Sequence, residues 1–272
     1  MSARVWVLLA SLALSAGAQN VAPTAPAPAA SESAPLSATE WGNLYLARRD
    51  YADAVTALQT ALRQRQTKVV RAGLYNGLGI AYQQLNNLKQ AERSYKSAHK
   101  YDKKNARYVN NLGTVYFMQR KYKNAAKQFA SATKLDATQA VYLVNLGSAE
   151  FGRKRIPQAM TAYRQALRLD PDALFPQAGS GPVVRDVNET DTPLYHYQLS
   201  RLFCTIGMLD DAVHQFRQAY DEHYAKLKDS LTDPAFAPLR ARVEYKALMG
   251  LPPNAPLLPA SGPATAAPEA AQ

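Results

Sequence analysis

The chain has 272 residues and a formal net charge of +11, from 32 Lys and Arg against 21 Asp and Glu. One cysteine, Cys204, excludes an intramolecular disulfide framework, and no group of cysteine and histidine has the spacing of a zinc site. No apolar run approaches the roughly 18 residues of a membrane span. The charge is local, because residues 63–134 contain sixteen basic and two acidic residues, so an anionic partner would concern that stretch.

The first residues have the organisation of a secretory signal peptide. Arg4 precedes an apolar run at 5–14, and residues 16–18 are Ala-Gly-Ala, the small residues that signal peptidase accepts. We interpret residues 1–18 as a signal peptide cleaved near Ala18. This predicts an exported protein, periplasmic or secreted, whose mature chain has no transmembrane segment. The alternative is that the uncleaved segment tethers the protein to a membrane.

Two segments rich in proline and alanine flank the rest of the chain. Residues 19–35 are mostly Ala, Pro, Ser and Thr, and residues 251–272 combine Pro and Ala with a single charged side chain, Glu269. Such compositions cannot bury a hydrophobic core. The first segment is therefore predicted to be a linker and the second a disordered tail, which leaves residues 36–250 as the folded part.

A pattern with a period of 34 residues runs through the middle of the chain. Leu-Gly pairs mark it, and each glycine leads after twelve residues to an alanine and after four more to an aromatic residue. The three copies are Gly79, Ala91 and Tyr95; Gly113, Ala125 and Phe129; Gly147, Ala159 and Tyr163. The marks recur upstream from Gly42, displaced by 37, and downstream from Ser200, displaced by 53, which is 34 plus a 19-residue insertion. A fixed period of this length indicates a repeat architecture.

The pattern resembles the tetratricopeptide repeat (TPR) family, whose signature is W-x2-L-G-x2-Y, then A-x3-F, then P. The resemblance covers residues 35–224, with Glu150 in place of a tyrosine and Ser200 in place of a glycine. It implies an all-α fold, a right-handed superhelix (α-solenoid) of antiparallel helix pairs with a concave and a convex surface. The implied array at 36–224 has repeats near 36–67, 72–105, 106–139, 140–171 and 194–224.

Two segments accompany the implied array. The insertion, residues 172–193, is either a functional loop or a spacer. Residues 225–250 resemble the short helical cap that often follows such arrays in bacterial proteins, and their apolar side chains are expected to cover the last helix pair.

Basic residues recur on the second helix of repeats two and three. At about 100° per residue they fall opposite the positions that the repeat buries, so they predict a ridge on the convex face. The ridge comprises Lys89, Arg93, Lys96, Lys100, Lys123, Lys127 and Lys134. It is either a solvated outer face or a surface for an anionic envelope component. No aromatic residues are interleaved with it for base stacking, so the pattern argues against nucleic acid as a partner.

The resemblance also implies which side chains of the first helices line the concave groove. They are Asn76, Arg107, Asn110, Asn111, Thr114, Phe117, Asn145, Ser148, Phe151, Tyr197 and Arg201. Carboxamides donate and accept hydrogen bonds, so a row of them predicts pairing with the backbone of an extended peptide. The alternative is that the asparagines serve helix packing. The family's subclass that holds acidic chaperone tails needs a lysine where this chain has Asn76, which argues against that ligand.

No motif predicts catalysis, a cofactor or a metal. The histidines His99, His196, His214 and His223 have no ligand spacing, and Gly179-Ser180-Gly181 lacks the lysine that follows a phosphate-binding loop. The sequence therefore predicts a non-enzymatic scaffold of the cell envelope that binds a protein or an extended peptide in its concave groove. The alternative is a basic adaptor whose convex ridge binds an anionic membrane surface or polysaccharide.

Overall fold

The computed structural model describes residues 36–175 and 191–255. The predicted signal peptide and linker, the middle of the insertion and most of the C-terminal tail lie outside these ranges. Within the described residues there is no strand, and no helix combines the length and apolar character needed to cross a membrane. The fold class predicted from the repeat is confirmed as an all-α array of antiparallel helix pairs.

In the part of the chain that the structure describes, ten helices form five consecutive pairs. Within each pair a short turn joins the first helix to the second, and successive pairs pack side by side. The helices are α1 Ala38–Arg48, α2 Tyr51–Arg63, α3 Lys68–Gln84, α4 Leu88–Tyr101, α5 Ala106–Met118, α6 Tyr122–Leu135, α7 Ala140–Gly152, α8 Ile156–Leu169, α9 Thr192–Ile206 and α10 Leu209–Asp221.

Two helices begin earlier than the repeat boundaries predicted. The side-chain oxygen of Thr67 accepts a hydrogen bond from the Val70 N–H at 3.3 Å, which caps α3 and starts it at Lys68 instead of residue 72. Helix α9 begins at Thr192, inside the predicted insertion, with a proline in its first turn. The start of α3 follows from this capping bond, and the start of α9 coincides with the proline in its first turn. A repeat pattern contains neither signal.

The repeated glycines let the two helices of a pair approach closely. A Cβ atom added to Gly113 would lie 2.7 Å from the ring of Phe129, and the equivalent distance from Gly79 to Tyr95 is 2.4 Å. Only glycine leaves room for these aromatic rings, which are fully or almost fully buried. The fifth pair has Ser200 instead, whose buried hydroxyl donates to the Ala212 carbonyl oxygen at 2.7 Å.

Short helical segments follow the fifth pair: Leu227–Leu231, Pro234–Phe236, α11 Ala237–Arg240 and α12 Val243–Leu248. Phe236 and Tyr245 are fully buried, and each ring contacts Phe216 of α10, with centroids 5.8 and 4.8 Å apart. Arg240 fixes the segment by donating from Nη1 to two backbone carbonyl oxygens, at 2.9 Å each. These residues pack over the last helix pair.

Candidate functional site

The asparagines of the first helices pair with one another across neighbouring repeats. Asn111 Nδ2 on α5 donates to Asn76 Oδ1 on α3 at 3.0 Å, and Asn145 Nδ2 on α7 donates to Asn110 Oδ1 on α5 at 2.9 Å. We call these four residues the amide ladder. Asn145 is fully buried and Asn110 is 3% exposed, whereas Asn76 and Asn111 are partly exposed. The buried pair of the ladder therefore joins helices instead of facing a ligand.

Most of the other predicted groove side chains are also buried. Thr114 Oγ1 donates to the Asn110 carbonyl oxygen at 3.2 Å, and Ser148 Oγ donates to the Val144 carbonyl oxygen at 3.1 Å. The seven predicted groove residues that the structure buries are Asn110, Thr114, Phe117, Asn145, Ser148, Phe151 and Tyr197. We correct the predicted groove at these positions, because side chains packed inside the array are not offered to a ligand.

The aromatic members of that set pack against other rings. Phe117 meets Tyr122 edge-on with centroids 5.0 Å apart, and Tyr197 lies 5.1 Å from Phe236 of the covering segment. Burial raises the pKa of the Tyr197 phenol above its usual value. Sequence position places these residues on the first helices, but the neighbouring helices fill the space that a peptide side chain would need.

An open strip remains on α3 and α5. It consists of Asn76 and Ile80 on α3 and of Arg107, Asn111 and Met118 on α5, all partly or fully exposed. On each helix these residues are four or seven positions apart, so they share a face. Met118, which is 41% exposed, was not among the predicted residues, although its spacing of seven from Asn111 was a signal for it. The strip carries two amides, one guanidinium and two apolar side chains.

Arg201 on α9 is exposed but already engaged. Its Nε donates to Asp233 Oδ2 at 2.6 Å, which ties α9 to the covering segment. Burial alone would raise the pKa of Asp233, but the hydrogen bonds from Arg201 and from the Ala235 N–H outweigh it and hold that pKa below its usual value. Arg201 is therefore a structural residue of the last pair as well as a predicted groove residue.

The predicted basic ridge is exposed throughout. All seven side chains reach solvent on α4 and α6. Lys96 pairs with Glu92 at 2.6 Å and lies over the ring of Tyr116, 5.9 Å from its centroid, and the other six have no ion pair within residues 36–175 and 191–255. The structure thus brings these residues to one side of the second helices, where six of the seven positive charges have no ion-pair partner among the described residues.

The described ranges show no group of three or more His, Cys, Asp or Glu side chains that could hold a metal ion. Cys204 is buried, and burial raises the pKa of its thiol to about 12, so the thiol stays protonated at neutral pH.

Comparison with known proteins identifies the repeat. A family model described as tetratricopeptide repeat matches residues 39–82, 76–140 and 125–173. The chain belongs to the tetratricopeptide repeat family. TPR proteins are non-enzymatic scaffolds for protein–protein interaction, and this chain is such a scaffold, which confirms the prediction that it is not an enzyme. The partners of a TPR array are proteins.

Comparison with solved structures gives matches of low sequence identity. The structure of Pseudomonas aeruginosa pilF has 20% sequence identity and a TM-score of 0.50, covering 78% of this chain and 87% of that chain. Two crystal structures of MamA have identities of 19% and 18%, with TM-scores of 0.47 and 0.48, and cover 69% and 70% of this chain and 96% and 92% of theirs. At 20% identity the likeness to pilF concerns the fold alone. A search of curated proteins gave no match.

Proposed function

We propose that this TPR protein is an exported scaffold of the cell envelope that binds a protein or an extended peptide along the open strip of α3 and α5. The proposed export is supported by the sequence of residues 1–18, which has the charged, apolar and small-residue parts of a signal peptide. The proposed binding surface is supported by the chemistry and exposure of the strip.

The observation that carries the proposal is the exposed pair of the amide ladder. Asn111 uses one Nδ2 hydrogen on Asn76 Oδ1, and neither side chain has another hydrogen-bond partner among the described residues. The pair therefore presents the amide donors of Asn76 beside the carbonyl acceptor of Asn111. A peptide backbone carries an acceptor and a donor at each residue, so this arrangement suits an extended segment. Ile80 and Met118 offer apolar contact for its side chains.

The test removes both amides and leaves the rest of the array intact. The double variant Asn76→Ala with Asn111→Ala should lose at least about tenfold in capture of its protein partner from envelope extract, because the paired donor and acceptor are gone. Asn43→Ala removes an exposed asparagine on α1 and is the matched control. Circular dichroism melting checks that all variants fold. Equal capture by the double variant and the wild type would refute binding along the open strip.

The basic ridge supports a second candidate, binding to an anionic membrane surface or polysaccharide. This candidate is supported by the exposure of all seven ridge side chains, six of which form no ion pair among the described residues. Such binding should weaken steeply between low and high salt, whereas binding along the open strip should depend weakly on salt. Charge reversal to Glu should abolish the salt-dependent binding to the anionic surface and leave partner binding along the open strip unchanged. The reversed residues are Lys89, Arg93, Lys96, Lys123 and Lys127.

A further inference from the structure

The turn inside each helix pair contains one residue with left-handed backbone. Glycine adopts this conformation at the lowest cost, and other residues there are strained. Only the fifth of these turns has a glycine, and three of the other four have a basic residue. In chain order they are Arg49 (φ 66°), Asn86 (57°), Arg120 (58°), Lys154 (61°) and Gly207 (83°). Their spacings of 37, 34, 34 and 53 match those of the repeat, so they occupy one repeat position.

Cations concentrate at the turns of the third and fourth pairs. The turn between α5 and α6 contains Arg120 and Lys121, and the turn between α7 and α8 is Arg153-Lys154-Arg155. An open cavity of about 400 Å³ is lined by Arg120, Lys121, Tyr122, Lys123, Asn124 and Arg153. We call it the turn-edge cavity. It lies at helix ends, whereas the open strip runs along α3 and α5, and it shares only Lys123 with the basic ridge.

The positive charge of the turn-edge cavity is only partly neutralised by its neighbours. Arg153 Nη1 pairs with Glu150 at 2.8 Å, and Lys154 pairs with Asp191. Arg120, Lys121 and Lys123 form no ion pair within the described part of the chain. Glu92 lies near enough to Lys121 to interact with it, but its carboxylate already accepts from Lys96 at 2.6 Å and Gln119 at 3.3 Å. Three cations without ion pairs therefore line one open cavity, which favours an anion beside them.

The backbone adds to this preference. Helix α6 begins at Tyr122, and Lys121 before it makes no side-chain cap bond within the described residues. The same repeat position in the second pair is Asn87, whose side chain accepts from the Gln90 N–H at 3.3 Å. At α6 the capping oxygen is thus replaced by a cation, and the positive end of the helix meets the cationic lining.

We propose that the turn-edge cavity binds a phosphate group. Arg120 offers a planar fork that matches phosphate oxygens, and Lys121 and Lys123 add point charges. The cavity volume is within the usual range for small-molecule sites. The group belongs either to a small soluble phosphate ester or to a phospholipid headgroup. This site is independent of the partner proposed for the open strip.

A substitution of Arg120, whose backbone is left-handed, can distinguish a role in binding from a role in the fold. Arg120→Gly removes a Cβ atom from left-handed backbone, so the melting temperature should rise by about 2–4 °C. The same change removes the Arg120 guanidinium from the turn-edge cavity, so phosphate binding should weaken. A purely structural arginine would give no loss of binding, and a stabilised variant that binds less well cannot be explained by misfolding.

The decisive experiment compares two triple variants of the full chain that lose the same charge. The turn-edge variant is Arg120→Gly, Lys121→Ala and Lys123→Ala. The loop control is Arg65→Ala, Lys103→Ala and Lys104→Ala, three exposed cations in the connections between helix pairs that belong neither to the basic ridge nor to the turn-edge cavity. Calorimetric titration with inorganic pyrophosphate tests the soluble source. Co-sedimentation with phosphatidylglycerol vesicles, against phosphatidylcholine vesicles, tests the lipid source.

The turn-edge variant should weaken binding to at least one probe by about tenfold or more, and the loop control should stay within about twofold of the wild type. If the turn-edge variant loses binding to pyrophosphate alone, the natural ligand is a soluble phosphate ester. If it loses binding to phosphatidylglycerol vesicles, the ligand is a lipid headgroup. Equal weakening by the two variants, or no binding of either probe by the wild type, overturns the proposal.

Discussion

Neighbouring first helices are joined in two different ways along the array. Between α3, α5 and α7 the junctions are hydrogen bonds of the amide ladder, 3.0 and 2.9 Å long. At α9 the junction is aromatic: Tyr195 meets Phe151 of α7 and Tyr163 of α8 edge-on, with centroids 5.2 and 6.1 Å apart. Helices α8 and α9 also touch far less than α6 and α7 do.

The difference follows from the period of the sequence. A hydrogen bond between two short amides needs helices held at one fixed separation, which a strict 34-residue repeat supplies. The insertion breaks that period before α9, and position 144, where the next ladder acceptor would stand, is a valine. Aromatic rings are larger and pack in several geometries, so they can fill the contact between helices whose separation differs from that of the regular repeats.

The two regions should respond differently to mutation, and the largest effect is expected at the end of the array. Phe236 is fully buried between Tyr197 and Phe216. Phe236→Ala should lower the free energy of unfolding by about 3–5 kcal/mol, because it leaves a cavity over the last pair. Urea denaturation followed by circular dichroism measures the loss. Phe236→Leu is the control and should cost less than half as much, whereas a loss below about 1 kcal/mol for alanine would mean that the covering segment does not stabilise α9 and α10.

The intermediate effect belongs to the closely packed pairs in the middle. Gly113→Ala places a Cβ atom 2.7 Å from the Phe129 ring, which is fully buried and cannot move away freely. The expected cost is about 1–3 kcal/mol of unfolding free energy. Gly73→Ala is the matched control, since a Cβ atom added to this exposed glycine of α3 would have nothing within 4 Å except its chain neighbours and the nearby backbone of its own helix. It should stabilise the protein by about 0.5–1 kcal/mol, and equal effects at both sites would contradict the close-packing account.

The Cys204 thiol distinguishes local opening from global opening. It is buried in the last pair, so its reaction with a thiol reagent reports exposure of α9. Phe236→Ala should accelerate this reaction strongly, and Gly113→Ala should accelerate it much less if the end of the array opens by itself. Equal acceleration by both variants would show that the array opens as one unit and would remove the energetic distinction between the two regions.

The fold could be predicted because its determinants are local and repeated. The spacing from Gly113 to Phe129 specifies a close helix pair wherever it recurs, and the exposure of Arg93 and Lys127 follows from the rotation of one helix. The sequence also contains a signal for the start of α3, since Thr67 lies three residues before Val70, which is the spacing of a side-chain N-cap.

The groove could not be predicted in the same way, because it depends on the neighbouring repeat. Asn111 and Asn145 occupy the same repeat position and look identical in the sequence, yet the first is partly exposed and the second is fully buried. Their exposure is decided by what packs beside α5 and α7. The family pattern assigns a helix face to each residue, but it does not say how much of that face the next helix covers.

The smallest effect tests this difference within the amide ladder. Asn145→Ala should lower the unfolding free energy by about 1–2 kcal/mol, because the buried Asn110 Oδ1 loses its donor and water cannot easily replace it. Asn111→Ala removes the same kind of bond, but Asn76 is partly exposed and can bond to water, so the loss should stay below about 0.5 kcal/mol. Adding Asn110→Leu to Asn145→Ala should recover part of the stability, since the orphaned oxygen disappears. Urea denaturation measures both losses of unfolding free energy. Equal losses for Asn145→Ala and Asn111→Ala would mean that burial does not distinguish the two hydrogen bonds of the amide ladder. The exposed pair would then stabilise the fold as much as the buried pair does.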